Sequence, residues 1–293
     1  LSVANEDQYT TGESLRQTFR RVGNCLNHTA EAYLIGGGAM TLRGIKDSTK
    51  DIDLVTKDRT SFRRIEAALL DLGYTQETEL AREYESLGAT AVLKGDGGGH
   101  VDLFDRQVAL KLSFSETMAA RAEQLSSDGN LTVFACSPVD VVLFKSMTPR
   151  SGDLDDVRAV IVAHGGGFDW GVLAEEFRSQ LPLNAGKREH EWITGEKRHP
   201  VLQFEQTVRE LDGVPKEVTR LVRETADVVE AEGFVVDAIR FTGKIERADL
   251  VSRVTESNHC RETIVDDAVE RLIEKGVVET ADGVCRPGWT QLE

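Results

Sequence analysis

Short apolar runs alternate with helical patterns through the first two thirds of the chain. Residues 33–35 form an apolar run of strand length, and residues 51–55 and 100–104 alternate polar with apolar side chains, as half-buried strands do. Residues 115–125 are predicted to be a short helix or a loop. Further strands are predicted over residues 89–93, 110–114 and 131–135, and helices over residues 12–26, 59–72, 153–164 and 168–181, with one more opening at Ser137 and Pro138.

The last third of the chain has a pattern of its own and is predicted to be a separate unit. Helices are predicted over residues 218–229, 245–254 and 261–275, and the two strands of a small wing over residues 277–279 and 284–286. This order resembles a winged helix-turn-helix, but the last of these helices carries five Asp and Glu side chains that DNA phosphates would repel. We therefore expect a structural or protein-contacting module, and we do not expect sequence-specific DNA binding.

Polarity places the boundary between the two units. Residues 183–200 break the apolar periodicity and contain the most basic segment of the chain, which predicts a linker or an exposed arm. The predicted organisation is a first domain over residues 1–182, this arm, and a winged-helix-like domain over residues 201–293.

Two carboxylates on one predicted strand are the first sign of chemistry. Residues two apart on a strand project to the same side, so Asp51 and Asp53 lie together while their apolar neighbours face a core. Two such acids repel each other, so they are either solvated on an edge strand or hold a divalent cation that offsets the repulsion. Asp102, on the strand predicted over residues 100–104, favours the cation, because three carboxylates with few nitrogen or sulfur ligands suit Mg²⁺.

Three consecutive glycines precede these acids. Gly36, Gly37 and Gly38 follow the first buried strand, where a backbone without side chains can approach a ligand closely. Consecutive N–H groups can also form a concavity that binds an anion. A metal site beside such a phosphate cradle indicates phosphoryl or nucleotidyl transfer.

The order of these motifs resembles the DNA polymerase β-like nucleotidyltransferase superfamily, and within it the small DUF6036-like members of toxin–antitoxin and abortive-infection systems. The resemblance covers roughly residues 30–166. It implies an α/β (α+β) fold with a mixed sheet flanked by helices, Mg²⁺ or Mn²⁺ as cofactor, and an NTP as substrate. In that family the positions of Gly37 and Gly38 bind phosphate, and those of Asp51, Asp53 and Asp102 ligate the metal.

A second block resembles the same family: an apolar helix with Lys145, then Arg150, then an acidic helix start at residues 153–156. The resemblance implies that Lys145 and Arg150 lie near the nucleotide, and both cations suit phosphates. The alternative is a set of ion pairs between these cations and the acids, which would join the two helices. Thr49 is either a phosphate contact, as the family often has before the acid pair, or part of a hydrogen-bonded turn.

Composition narrows the class of protein. The net charge of −15 argues against a protein that coats nucleic acid without specificity. The chain has no stretch of about 18 apolar residues, so we expect no membrane span. The four cysteines are scattered without metal-type spacing, and we expect them to be reduced thiols of a cytoplasmic protein.

Two functions remain open on this evidence. The first is an enzyme that transfers a nucleoside monophosphate from an NTP to a hydroxyl of RNA, such as a tRNA end, or of a partner protein. The second is a catalytically silent regulator that binds a nucleotide or a partner. The presence of Asp51, Asp53 and Asp102 together favours the enzyme. The resemblance also implies a cognate toxin or antitoxin partner.

Overall fold

The computed structural model describes residues 10–77, 90–95, 99–108, 112–147, 150, 152–183 and 199–288. The chain divides into two compact units, residues 1–180 and 181–293. Some predictions fall partly outside the described residues: the first residue of the strand at 89–93, the first two residues of the strand at 110–114, and most of the arm at 183–200. No helix in the described ranges combines the length and apolarity needed to cross a membrane.

A mixed sheet of seven strands forms the centre of the first unit, which confirms the predicted sheet. Its strand order is β10-β11-β2-β4-β7-β6-β5, with β4 parallel to β7 and antiparallel to β2. The strands of this unit are β1 (Thr10–Thr11), β2 (Ala30–Leu34), β3 (Ser48–Thr49), β4 (Asp51–Thr56), β5 (Thr75–Gln76), β6 (Ala91–Lys94), β7 (His100–Asp105), β8 (Gln107–Val108), β9 (Leu112–Ser113), β10 (Glu123–Asp128) and β11 (Leu131–Ala135).

Helices flank this sheet, and their starts follow from capping side chains. Asp58 accepts a hydrogen bond from the Ser61 amide at 2.8 Å, and Ser137 caps the helix that Pro138 opens. The helices of this unit are α1 (Gly12–Cys25), α2 (Gly36–Leu42), α3 (Arg59–Asp71), α4 (Glu116–Arg121), α5 (Pro138–Ser146), α6 (Asp153–His164) and α7 (Trp170–Leu183).

The interpretation of residues 115–125 as a helix or a loop was wrong at its end. Helix α4 stops at Arg121, and strand β10 begins at Glu123. The sequence of β10, Glu-Gln-Leu-Ser-Ser-Asp, lacks the apolar alternation of a half-buried strand, because β10 lies at the edge of the sheet and pairs only with β11. Main-chain pairing with β11 therefore holds this strand without a buried face of its own.

The second unit consists of four described helices and a small antiparallel sheet of order β12-β14-β13. Its elements are α8 (Pro200–Glu210), α9 (Lys216–Thr242), β12 (Ile245–Glu246), α10 (Arg247–Asn258), α11 (Glu262–Glu274), β13 (Val278–Ala281) and β14 (Val284–Pro287). Val235, Ile239, Leu250 and Leu272 meet in its core. The two strands predicted for a wing are present as β13 and β14.

Helix α9 is much longer than the helix predicted over residues 218–229. Its apolar pattern is interrupted at Glu232, yet this side chain is completely buried. Arg271 Nε at 2.7 Å and Lys275 Nζ at 3.1 Å neutralise the carboxylate from α11, so the helix continues to Gly243, whose φ of +73° ends it. The apolar periodicity of one helix cannot reveal a buried charge that is neutralised by residues outside that helix.

Candidate active site

The pairing of β4 with β7 places the predicted acids together. In this parallel register Asp53 lies opposite Asp102 and Asp51 lies opposite His100. The His100 Nδ1 atom is 3.5 Å from an Asp51 carboxylate oxygen. Asp105, at the end of β7, is paired instead with Arg59 at 2.8 Å. The structure therefore brings Asp51, Asp53 and Asp102 to neighbouring positions and keeps Asp105 apart.

Asp102 is a buried carboxylate that the described part of the chain leaves unsatisfied. Its side chain is completely buried, and neither oxygen accepts a hydrogen bond from any described residue. Burial, together with the charges of Asp53 and Asp51, raises the pKa of Asp102 to about 8. Burial also raises the pKa of Asp53 to about 6, with Asp51 adding to the shift and Arg150 opposing it. The negative electrostatic potential at these acids is therefore only partly offset by the neighbouring cations.

The glycine run lies directly against these acids. Gly36 starts helix α2 with a φ of +59°, and a Cβ at this position would lie 2.3 Å from Asp53 Oδ2. A Cβ on Gly37 would lie 2.4 Å from the Thr49 hydroxyl oxygen. The amides of a first helical turn have no intrahelical acceptor, so the sequence places N–H donors beside the carboxylates. Gly38 packs instead against Leu34.

Replacing Gly36 by alanine tests this close approach. We expect Gly36→Ala to reduce nucleotidyl transfer at least about tenfold, because the new methyl group must displace the Asp53 carboxylate. Gly44→Ala is the matched control, since Gly44 has a φ of +71° and no atom within 4 Å of the added methyl. Both variants incur the left-handed backbone strain of about 1–2 kcal/mol. Equal activity in the two variants would contradict the prediction.

Thr49 has a structural partner at this site. Its hydroxyl donates to the Asp51 carbonyl at 3.0 Å and borders Gly37, while β3 pairs with β1. The hydrogen-bonded turn is therefore present. A phosphate contact would require this hydroxyl to donate its proton to a phosphate oxygen instead, and such a contact stays a prediction.

The two predicted cations belong to a network of ion pairs. Lys145, 7% exposed, contacts Asp153 at 2.8 Å and Asp156 at 2.7 Å, so the ion pairs that join α5 and α6 are present. Arg150 contacts Asp153 through Nε at 3.2 Å. Burial opposes the charge of Lys145, yet the two acids raise its pKa above the ordinary value. Lys46 joins the network through Asp156 at 2.7 Å.

Arg150 connects this network to the carboxylates. Asp153 and Asp53 both raise the pKa of the Arg150 guanidinium against the effect of burial. The field of Arg150 in turn favours the charged form of Asp53. Contacts of Lys145 or Arg150 with a nucleotide remain predictions, but Arg150 lies where it acts on the acid pair.

Sequence reasoning anticipated one charged residue of the site and missed another. Asp153 holds both Lys145 and Arg150, as the alternative of ion pairs between the two helices predicted. Glu77 adds negative charge that raises the pKa of Asp102, although nothing in its local sequence marks it. Its position follows from pairing at the edge of the sheet, which a single sequence does not reveal.

The donor set fits a hard divalent cation. Asp51, Asp53 and Asp102 offer only oxygen ligands, and the buried Asp102 oxygens lack any donor among the described residues. As the side chains stand, however, no three His, Cys, Asp or Glu groups in the described part of the chain close around one point. A cation held here would therefore draw these carboxylates together and offset the burial and the repulsion that raise the pKa values of Asp53 and Asp102.

Comparison with known proteins agrees with this geometry. A search of the curated proteins found no match. The model of a family described as "Nucleotidyltransferase of unknown function (DUF6036)" matches residues 13–191, more than half of the chain. The matched span contains the glycine run, the three carboxylates and the ion-pair network of α5 and α6. The chain therefore belongs to the DUF6036 family of nucleotidyltransferases.

Proposed function

We propose that this protein is a Mg²⁺- or Mn²⁺-dependent enzyme that transfers a nucleoside monophosphate from an NTP to a hydroxyl of RNA or of a partner protein. Its membership of a nucleotidyltransferase family supports the reaction class. The resemblance to small toxin–antitoxin members is the reason for naming these acceptors and for expecting a cognate partner in the cytoplasm.

The observation that carries the proposal is the unsatisfied carboxylate of Asp102 beside Asp53. A buried carboxylate without donors is unfavourable for folding and persists where a ligand supplies the missing charge. A Cβ on Gly36 would lie 2.3 Å from Asp53 Oδ2, so the first turn of α2, whose amides can bind an anion, begins against a cation ligand. An NTP with its divalent cation presents both complementary charges.

The reaction requires few chemical groups of the protein. The acceptor oxygen bonds to the α-phosphorus, the bond from that phosphorus to the bridging oxygen of the β-phosphate breaks, and pyrophosphate leaves; the hydroxyl proton goes to water. Asp51, Asp53 and Asp102 would hold the cation. When bound, the cation supplies charge neutralisation of the triphosphate and of the attacking oxygen.

The remaining residues bind and orient. Gly36 lies against Asp53 and Gly37 against Thr49, and the amides of this first helical turn would suit phosphate oxygens. Arg150, half exposed and anchored by Asp153, has guanidinium donors beyond the one in that contact. Lys145 is almost buried between two acids and would act on the nucleotide by orienting α6 and Arg150.

One observation favours the silent regulator. The described acids do not converge as a formed metal site does, and Lys145 is engaged by Asp153 and Asp156. In that case the winged-helix-like unit would supply the partner contacts, and nucleotide would bind without transfer.

An incorporation assay separates the two functions. The protein is incubated with each α-³²P-labelled NTP, Mg²⁺ or Mn²⁺, and total RNA or cell extract, beside an Asp51→Ala/Asp53→Ala variant. We expect label on RNA or protein only with the intact acids. Asp155→Ala is the matched control, because Asp155 is an acid with an 84% exposed side chain on α6. Nucleotide binding without label from any NTP would refute the enzyme and support the regulator.

A further inference from the structure

An arginine-lined groove lies on helix α3, away from the carboxylates. This open groove of about 450 Å³ is lined by residues of one helix face. These residues are Arg59, Thr60, Arg63, Arg64 and Ala67. Three of the five are arginines, in a chain whose net charge is −15. Arg59 pairs with Asp105 at 2.8 Å and Arg63 with Glu66 at 2.7 Å, so this face presents three guanidinium groups whose charge the two acids offset only in part.

The guanidinium groups are held in place, which lowers the entropy lost on binding. Arg59 lies 4.7 Å and Arg63 lies 5.8 Å from the centre of the buried Phe62 ring. Arg59 also contacts Asp105 at 2.8 Å, and Arg64 donates to the Thr29 carbonyl at 2.6 Å. Each guanidinium has five N–H donors, so these contacts leave donors for a ligand.

The spacing of the arginines suits a chain of anions better than a single one. Residues three or four apart are neighbours on a helix surface, with about 5–6 Å between their Cβ atoms, so Arg63 neighbours Arg59 and Arg64 neighbours Thr60. Arginine binds phosphate through paired donors and stacks on bases through its planar face. An acidic peptide would use only the first of these properties, so the arrangement favours a nucleic-acid strand.

Strand β4 connects the groove with the carboxylates. From Asp53 to Thr56 the strand covers about 10 Å, and α3 begins three residues later. Arg59 reaches back to β7 by its contact with Asp105, three residues beyond Asp102. The groove therefore begins beyond the end of β4 opposite to Asp51, and a bound strand would have to extend by at least about 10 Å to present a hydroxyl to the acids.

We infer that the groove formed by Arg59, Thr60, Arg63 and Arg64 on α3 binds the phosphodiester backbone of a single-stranded RNA. The inference deepens the proposed function by choosing RNA over a protein as the acceptor. Only the statement that the bound RNA is the acceptor rests on the proposed function. Binding of RNA to the groove itself needs neither NTP nor metal.

The test measures RNA binding without NTP. A fluorescein-labelled single-stranded RNA of mixed sequence, about 20 nucleotides long, is titrated with protein by anisotropy at about 50 and 200 mM salt. We expect Arg59→Gln/Arg63→Gln to weaken binding about tenfold or more at the lower salt. We also expect the slope of log K against log salt to fall by about 1.4, because each lost phosphate contact accounts for about 0.7.

The matched control removes the same charge elsewhere. Arg220→Gln/Arg223→Gln changes two exposed arginines of α9 and is expected to leave RNA affinity within about twofold. Equal weakening by both double variants, no weakening by the groove variant, or no RNA binding by the unaltered protein would each overturn the inference. Competition by polyglutamate as strong as that by RNA would also overturn it.

Two further measurements separate this inference from the proposed function. The Asp51→Ala/Asp53→Ala variant is expected to bind RNA as the unaltered protein does, so a failure of transfer leaves the groove untouched. If the double groove variant does not fold, Arg63→Gln alone replaces it, because the ion pair of Arg63 is with Glu66 of its own helix. For this single variant the slope is expected to fall by about 0.7.

Discussion

Asp53→Asn is expected to lower the rate of nucleotidyl transfer by about 10³-fold or more while the fold is kept. Asp53 is the central acid of the site. It lies opposite Asp102 on the neighbouring strand, and a Cβ added to Gly36 would clash with its carboxylate. The positive charge of Arg150 also acts on it. Asparagine keeps the shape but removes the charge that would hold a divalent cation. Loss of several kcal/mol of charge stabilisation corresponds to this factor in rate.

The measurement compares initial rates of label incorporation at saturating NTP, with circular dichroism as the check on folding. Asp155→Asn makes the same chemical change at an 84% exposed side chain and is expected to retain the full rate. A rate for Asp53→Asn within tenfold of that of the unaltered protein would show that the acid pair does not carry the reaction. Mg²⁺ should also raise the melting temperature of the control and leave Asp53→Asn almost unchanged.

Alternation along the strands was sufficient to predict much of this arrangement. Because side chains two apart share one side, Asp51 and Asp53 follow from the sequence, and the same reasoning placed Asp102 on a strand of its own. That β4 and β7 would pair in parallel, with Asp53 opposite Asp102, did not follow from the residues themselves. Register between distant strands depends on the whole sheet, and only the family resemblance anticipated the result.

Sequence reasoning missed the buried acid Glu232 for a physical reason. This residue of α9 is satisfied by two cations from a different part of the chain, Arg271 and Lys275. A polar residue at such a position breaks the local apolar pattern and is interpreted as solvated or as the end of a helix. Contacts of this kind become visible only when the elements have been packed.

At Asp102 the requirement for a cation ligand conflicts with the stability of the metal-free fold. Its pKa of about 8 in the folded protein lies above the ordinary aspartate value of 3.8, so ionisation is unfavourable in the fold. The folded state binds more protons than the unfolded state between these values. Stability contributed by the neutral form is therefore present below about pH 4 and is lost as the pH rises through 8.

Asp102→Asn is accordingly expected to stabilise the metal-free protein while abolishing transfer. Asparagine is neutral at every pH, so at pH 7 the gain is on the order of 2–4 kcal/mol, or roughly 5–10 °C in melting temperature. Relative to the unaltered protein, the gain should be small near pH 4, grow with pH and level off above pH 8. Thermal melts in EDTA at several pH values measure this difference.

Asp105→Asn on the same strand is the control, and its effect should have the opposite sign. Asp105 is paired with Arg59 at 2.8 Å, so its loss should destabilise the protein by at most about 1 kcal/mol. Mg²⁺ should restore stability to the unaltered protein and to Asp105→Asn, but not to Asp102→Asn, because only the last variant lacks a ligand. If Asp102→Asn had a lower melting temperature than the unaltered protein at pH 8 in EDTA, Asp102 would be a structural residue. It would then not be a carboxylate kept for binding a cation.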